Sequence, residues 1–385
     1  MARFKLKDLA IGKLEYGSGA AACEYNGNTR YVRITDIDND GSLGSDIVSP
    51  SYIDEKYILN DGDVLFARTG ATVGKTYRYK PSDGRCLYAG FLIRVIPNPK
   101  IIRTDYLYFF TKSPRYKEFI QRSMKVVAQP NINAKQYGDL EFEVPSLKIQ
   151  DEIVNRLSKV DSIINNRQSE IEKMDNLIKA RFVEMFGTIH DNKYGFEIRT
   201  IQDVCEKIKD GTHQTPVYTD DSIKGFKFLS SKDVTTGKID WTHIKYIPKS
   251  LHDELYSRIA PRKSDLLLAK NGTTGIAAIV DTDDVFDIYV SLALLRPVSI
   301  NSTYLWGAVN SKETKEQFDT SLKGVGVPNL HLGEIKKTKI IVPPLEEQEV
   351  FSTFVAQVDK SKVTVQKALN EAQLLFDSLM QQYFG

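Results

Sequence analysis

Val342-Pro343-Pro344-Leu345-Glu346-Glu347-Gln348 restates Val144-Pro145-Ser146-Leu147-Lys148-Ile149-Gln150 at a distance of 198 residues. Upstream of this joint, Pro328-Asn329-Leu330 answers Pro130-Asn131-Ile132. Downstream, Val358-Asp359 answers Val160-Asp161, and Phe384-Gly385 answers Phe186-Gly187. From Pro130 onward the register holds without a gap, whereas before it the match survives only in patches. A period this long exceeds the roughly 20–50 residues of solenoid or propeller repeats, so each copy is a whole domain with an appendage. The chain is a tandem duplication.

The appendage is a helix. After Pro145, apolar residues recur in steps of four and three at Ile153, Leu157, Val160, Ile164, Ile171, Met174, Ile178 and Met185, interrupted by Arg167 and Arg181. The second copy gives Phe351, Val355, Val358, Val365, Leu369, Ala372, Phe376, Leu379 and Tyr383, interrupted by Lys362. This spacing is a coiled-coil seam. Pro343 and Pro344 precede the second run, Glu346, Glu347 and Glu349 suit its positive N-terminal end, and Gly187 stops the first. Arg167 and Lys362 have two readings: polar residues that fix register, with stems lying along the seam, or contacts to a partner subunit.

Connectivity decides how the helices pair. Each would be about 60 Å long at 1.5 Å per residue, and the domain joining them would have a radius of gyration of only about 15 Å. Parallel helices would need that domain to span their whole length, so the pair is expected to be antiparallel. The expected fold is α/β (α+β): globular domains at 1–145 and 188–343, helices at 146–187 and 344–385, arranged as a dumbbell with a pseudo-two-fold axis.

Composition narrows the function class. Of the 385 residues 41% are hydrophobic and 26% charged, which describes a folded protein rather than a disordered one. The N-terminal Met1-Ala2-Arg3-Phe4-Lys5 lacks an apolar signal region and no uncharged apolar run approaches about 18 residues, so a cytoplasmic location is expected. Cys23, Cys86 and Cys205 form no close pair, and the five histidines show no HxxxH or HExxH spacing; no metal is expected. The net charge is only +2. The helical segments carry none of the excess: 148–187 has seven basic and seven acidic side chains, 346–385 three and six. Basic charge in the globular parts is permissive for nucleic acid.

Within those parts, Arg30–Ile37 and Gly225–Val234 read as short β-rich runs followed by Gly-containing turns. Asp63-Val64-Leu65-Phe66-Ala67-Arg68-Thr69-Gly70 matches Asp265-Leu266-Leu267-Leu268-Ala269-Lys270-Asn271-Gly272, a buried strand ending in a basic residue and a tight turn. Segments around Tyr106–Arg122 and Thr303–Leu322 read as helices with aromatic faces. Gly70-Ala71-Thr72-Val73-Gly74-Lys75-Thr76 imitates a P-loop but has three residues between its glycines instead of four, and Gly272–Ile276 has no lysine. That turn either lets amides and Lys75 touch a DNA phosphate or simply needs φ > 0. The cluster Lys112, Arg115, Lys117, Arg122 and Lys125, interleaved with aromatics, either contacts phosphate or is a solvated face. Val342-Pro343-Pro344-Leu345 lacks the leading amide or carboxylate and the stacking aromatic of an amino-methyltransferase motif. No Ser-His-Asp, Cys-His or carboxylate pair recurs in both halves, so the chain reads as non-catalytic.

The globular segment ending in Pro-Asn-(Ile/Leu), a short strand, Val-Pro-x-Leu, a Gln three residues on and a long helix, all present twice, resembles the specificity subunit of type I restriction-modification systems over the full length. The resemblance implies a target-recognition domain in each half, two antiparallel spacer helices, and binding of a bipartite, asymmetric duplex DNA site. It implies two methyltransferase (modification) subunits as partners and restriction/translocase subunits through the complex. S-adenosylmethionine, ATP and Mg²⁺ would then sit on the partners, with no cofactor bound by this chain. Loops reading base edges and cations holding phosphates point to Arg33, Arg68, Lys75, Lys232, Lys270 and Asn271 as DNA-binding candidates. Two other readings remain: a stand-alone DNA-binding or structural dumbbell without methyltransferase partners, and an enzyme, a nuclease or a methyltransferase. A leftover exposed apolar stripe on the helices would count against the first. Activity of the isolated chain that depends on S-adenosylmethionine or Mg²⁺ would revive the second.

Overall fold

The computed structural model describes residues 2–124, 131–220, 222–322 and 328–385; Met1, Lys125 and Pro130, named above, lie outside them. The repeated joint is a strand that ends at a proline and turns into a helix. Glu141–Val144 pairs antiparallel with Ala2–Lys5, placing Phe4 opposite Phe142, and Lys339–Val342 pairs in the same way with Glu197–Thr200. Proline has no N–H with which to continue the ladder and suits a helix start. The helices accordingly begin just beyond, at Leu147 and Leu345, and run unbroken to Phe186 and Phe384.

The repeated glutamine locks each joint. The Gln150 side chain is fully buried; its Nε2 donates to the carbonyls of Pro145 (2.8 Å) and Ile101 (2.9 Å), and its Oε1 accepts from Arg103 N (2.8 Å). Gln348 does the same with Pro343 O (2.8 Å) and Asn301 N (2.8 Å). Buried backbone groups in a loop need such partners, and a side-chain amide supplies both a donor and an acceptor.

The chain divides into two units, residues 1–168 with 367–385, and residues 169–366. In unit 1, Ile153, Leu157 and Val160 of the first long helix share a core with Phe376, Met380 and Phe384 of the second, with Ile164 packed at its edge. The start of one helix therefore lies against the end of the other, which is antiparallel pairing. In unit 2, Ile178 and Phe186 meet Phe351, Val355 and Val358, again end against start. Ile171, Val365 and Leu369 are half-buried. Lys362 pairs across the helices with Asp175, the register-fixing role, and its side chain is only 12% exposed. Each unit's aromatic core is completed by the far end of a long helix: Phe384 lies against Tyr106 and Phe110, Phe186 against Tyr304 and Phe351.

The duplication continues where the sequence register fails. Unit 1 has an antiparallel four-stranded sheet in the order Glu15–Tyr16, Leu92–Val95, Val64–Ala67, Thr76–Arg78. Unit 2 has the same order with Cys205–Asp210, Leu292–Pro297, Leu266–Ala269 and Ala277–Ile279. Thr29–Val32 pairs parallel with Arg85–Tyr88, as Phe226–Leu229 does with Phe286–Ile288. The runs Val64–Ala67 and Leu266–Ala269 are buried on both faces, which is why they are apolar without alternation. Helices Thr104–Phe110 and Pro114–Met124 correspond to Ser302–Val309 and Lys312–Ser321, each turning aromatic residues inward.

Two details differ from the sequence reading. The Gly-containing turns do follow the two runs, at Gly41 and Gly237, but strand covers only Thr29–Val32 and Phe226–Leu229. Each is followed by a 3₁₀ turn closed by an aspartate, Asp36 accepting from Arg33 N (2.8 Å) and Asp233 from Ser230 N (2.6 Å). The units also carry unlike additions: unit 1 pairs Ala22–Glu24 with Val48–Pro50, and unit 2 adds strand Lys245–Ile247 and helix Lys249–Arg258.

Candidate nucleic-acid interface

The matched strands Val64–Ala67 and Leu266–Ala269 deliver Arg68 and Lys270 to equivalent seats. Arg68 N donates to Phe91 O (3.1 Å) and its carbonyl accepts from Ile132 N (2.8 Å). Lys270 N donates to Ser291 O (2.9 Å) and its carbonyl accepts from Leu330 N (2.8 Å). Thr69 bridges to Asn131 and Asn271 to Asn329. Asn131 and Asn329 thus close the seat beside each strand end.

A third strand completes the seat through a pair of glycines. A Cβ on Gly17 would lie 2.4 Å from Tyr88 O and one on Gly211 would lie 1.9 Å from Ile288 O, so only glycine fits either position. Tyr16-Gly17-Ser18 and Asp210-Gly211-Thr212 are therefore counterparts, as the parallel bridges Ser18 to Ala89 and Thr212 to Tyr289 show. Here the two copies part. In unit 1 the Arg68 guanidinium lies over the rings of Tyr16 (4.8 Å) and Phe91 (5.8 Å), which are 41% and 55% exposed. In unit 2 the Lys270 ammonium pairs with Asp210 at 3.2 Å, and its side chain is only 6% exposed. His213 also approaches Asp210, at 3.3 Å.

The other candidates are distributed as follows. Arg33 is spent on Asp36 (2.7 Å) and Asp46 (2.8 Å), and its hydrogen bond to Asp36 raises its already high pKa. Lys75 donates to the carbonyl of Ile37 at 2.9 Å. Lys232 is exposed in the turn Ser231–Val234. Asn271 and Asn329 each hold a buried side-chain oxygen with no donor among the described residues. The seats thus gather Arg68 in one unit and Lys270 with Asn271 in the other, while Arg33 is tied to carboxylates of its own loop and Lys75 to the Ile37 carbonyl of that same loop. The glycine turn is a packing device: Gly74 (φ +86°) and Gly275 (φ +81°) lie against Ile120 and Phe318, where a Cβ would come within 2.8 and 3.1 Å. In the basic cluster, Lys112 is half-buried near Asp161 (3.8 Å), and burial pulls its pKa down. Arg122 pairs with Glu118, whereas Lys117 stays on the exposed face of its helix.

Among the described residues no group of three or more His, Cys, Asp or Glu side chains could hold a metal ion. Burial pushes the Cys86 thiol up to about 11 and the Cys205 thiol up to about 12, far from a reactive thiolate. No helix among the described residues is long and apolar enough to cross a membrane. Tyr16, Phe91, Asp210 and His213 were not among the sequence candidates. The signal for the strand that carries two of them was the pair Gly17-Ser18 and Gly211-Thr212, 194 residues apart and so outside the main register.

Comparison with known proteins gives this architecture its family. The model of the type I restriction modification DNA specificity domain matches residues 1–173 and again 193–373. The chain belongs to that family. Among its relatives, the MjaVIII type I restriction enzyme specificity subunit of Methanocaldococcus jannaschii is 22% identical over 340 residues, covering 82% of this chain and 78% of that protein. The putative MjaX specificity subunit of the same organism is 25% identical over 378 residues, covering 87% and 84%. The crystal structure of the type I S subunit from M. genitalium superposes with a TM-score of 0.56 at 16% identity, over 100% of this chain and 96% of that one. As a specificity subunit, the chain is the DNA-recognition component of a type I restriction-modification system and not its catalyst.

Proposed function

We propose that this specificity subunit reads a bipartite, asymmetric duplex DNA sequence, one half with each recognition domain, and recruits two methyltransferase subunits through which restriction/translocase subunits join. The observation that carries this reading is the contrast between the two strand-end seats: one scaffold, built twice, presents an arginine held against rings in one copy and a carboxylate-bound lysine in the other. Matched scaffolds that present unlike side chains at the same seat are what two different half-sites require, because bases are distinguished by the donors and acceptors set against their edges.

The long helices support partner docking. In unit 1, Ile149, Ile163, Leu374 and Leu375 are exposed apolar side chains on helices, and in unit 2 Leu177, Val350 and Val363 are. In unit 1, Ile149 also borders a groove of about 470 Å³ lined by Phe4, Ile101, Val144, Pro145 and Leu147. Apolar surface left after the helices have paired fits subunits that cover it and speaks against a stand-alone protein. S-adenosylmethionine, ATP and Mg²⁺ belong on those partners, with none held here, and the assembly works in the cytoplasm. The test is a pull-down with the tagged chain from its host, together with methylome sequencing with and without it. A co-purifying methyltransferase and loss of adenine methylation at one split, non-palindromic motif are expected. An unchanged methylome with no methyltransferase bound would overturn the reading.

A further inference from the structure

Arg68 stands apart from most arginines of its unit. Arg30 donates to Gly44 O (2.5 Å), Arg33 to Asp36 (2.7 Å) and Arg94 to Glu15 (2.7 Å); Arg78 pairs with Asp105 (3.0 Å), Arg85 with Glu55 (2.5 Å) and Arg103 with Asp151 (2.7 Å). Among the described residues the Arg68 guanidinium has no acceptor; its Nε is buried without a partner, as are those of Arg30, Arg78 and Arg94, but each of these has an acceptor at its terminal nitrogens. Leaving a desolvated donor unpaired is unfavourable, and a ligand that brings the acceptor removes that penalty. The two rings meanwhile hold the guanidinium, and Tyr16 is itself fixed, its hydroxyl accepting from Ala134 N at 3.0 Å.

A hold of this kind suits a planar acceptor. A phosphate can be met by a freely rotating cation, whereas the guanine edge offers O6 and N7 side by side in one plane, which the arginine fork matches with two bonds. Holding the fork before binding lowers the ordering cost, and the exposed Phe91 ring offers an apolar surface beside it. We propose that Arg68, held against the rings of Tyr16 and Phe91, reads the O6/N7 edge of one guanine in the half-site bound by unit 1. This rests on the DNA-recognition reading above and adds the base and the residue. Unit 2 makes no such contact, since its counterpart Lys270 is held by Asp210.

The test uses the complex isolated from its host with tagged wild-type, Arg68→Ala or Arg68→Lys chains, and duplexes of the methylated motif carrying 7-deazaguanine at each guanine in turn. Wild type is expected to lose about 5- to 150-fold in affinity at one guanine of one half-site, where the variants are indifferent to the replacement. In cells the variants' methylome relaxes at that position alone, and the unchanged second half-site shows that the chain is folded. Weakened binding across all sequences, with base preference intact and lysine restoring it, would assign Arg68 to a phosphate and overturn the proposal. A wild-type complex that follows no motif would overturn the recognition reading itself, a distinguishable failure.

Discussion

Arg68 and Lys270 end matched strands, make matched backbone hydrogen bonds and follow matched glycines, yet one cation lies against two exposed rings and the other is shut away on a carboxylate. The difference lies across the sheet. Tyr16 and Asp210 hold the same place two strands away, beyond the central Leu92–Val95 and Leu292–Pro297, and that residue decides whether the cation lies against rings or on a carboxylate. A duplicated scaffold can hold its core constant and change the surroundings of a strand-end cation through one residue two strands away.

The constant part should respond alike in both copies. Phe384→Ala and Phe186→Ala each remove a buried ring from an equivalent aromatic cluster and should each cost about 3–5 kcal/mol. Trp241 and Trp306 both lie in unit 2, so tryptophan fluorescence during denaturation follows Phe186→Ala, and hydrogen exchange of unit 1 amides follows Phe384→Ala. Effects confined to one unit would mean that the two cores are not equivalent.

The seats should respond unequally. Lys270→Met leaves Asp210 without its ammonium and should destabilise unit 2 by about 2 kcal/mol, because a half-buried carboxylate loses its main partner. Adding Asp210→Leu should recover most of that loss. Arg68→Met should change stability by less than about 1 kcal/mol and act on DNA binding instead. Equal destabilisation at the two seats would break the contrast.

A smaller difference sits deeper. Asp287 occupies the place of the apolar Leu87 and meets His252 of the helix that only unit 2 carries, at 2.7 Å. Burial pushes its carboxyl up to about 6, against the opposing pull of the His252 hydrogen bond. The folded state thus favours the protonated acid, and this contribution is present below about pH 4 and lost as pH rises through about 6. Unit 2 should lose on the order of 2 kcal/mol over that window, and Asp287→Asn should flatten the loss. Trp241, whose ring lies 5.5 Å from that of Phe286, reports it by fluorescence in denaturant titrations at stepped pH. A variant that keeps the wild-type slope would place the titration elsewhere.

Much of this was legible in the chain. The seam of Ile153, Leu157 and Val160 follows from periodicity, and the Pro-Gln joint from repetition, because both are local and both were kept in register. The strands ending at Arg68 and Lys270 were legible as apolar runs closed by a glycine turn. What the sequence did not show was the state of those cations. Their fates depend on Tyr16 and Asp210, more than fifty residues away along a poorly aligned segment, and only strand pairing brings them together. Arg33 illustrates the reverse case: its capture by Asp36, three residues on, was written locally as an aspartate closing a turn.

The central claim is that each unit specifies its own half of one DNA sequence. It is tested most directly by replacing residues 188–343 with a second copy of residues 1–145 and sequencing the host methylome. The account predicts that the methylated motif becomes two copies of a single half, the one lost or relaxed in Arg68 variants. Retention of the original asymmetric motif would contradict it.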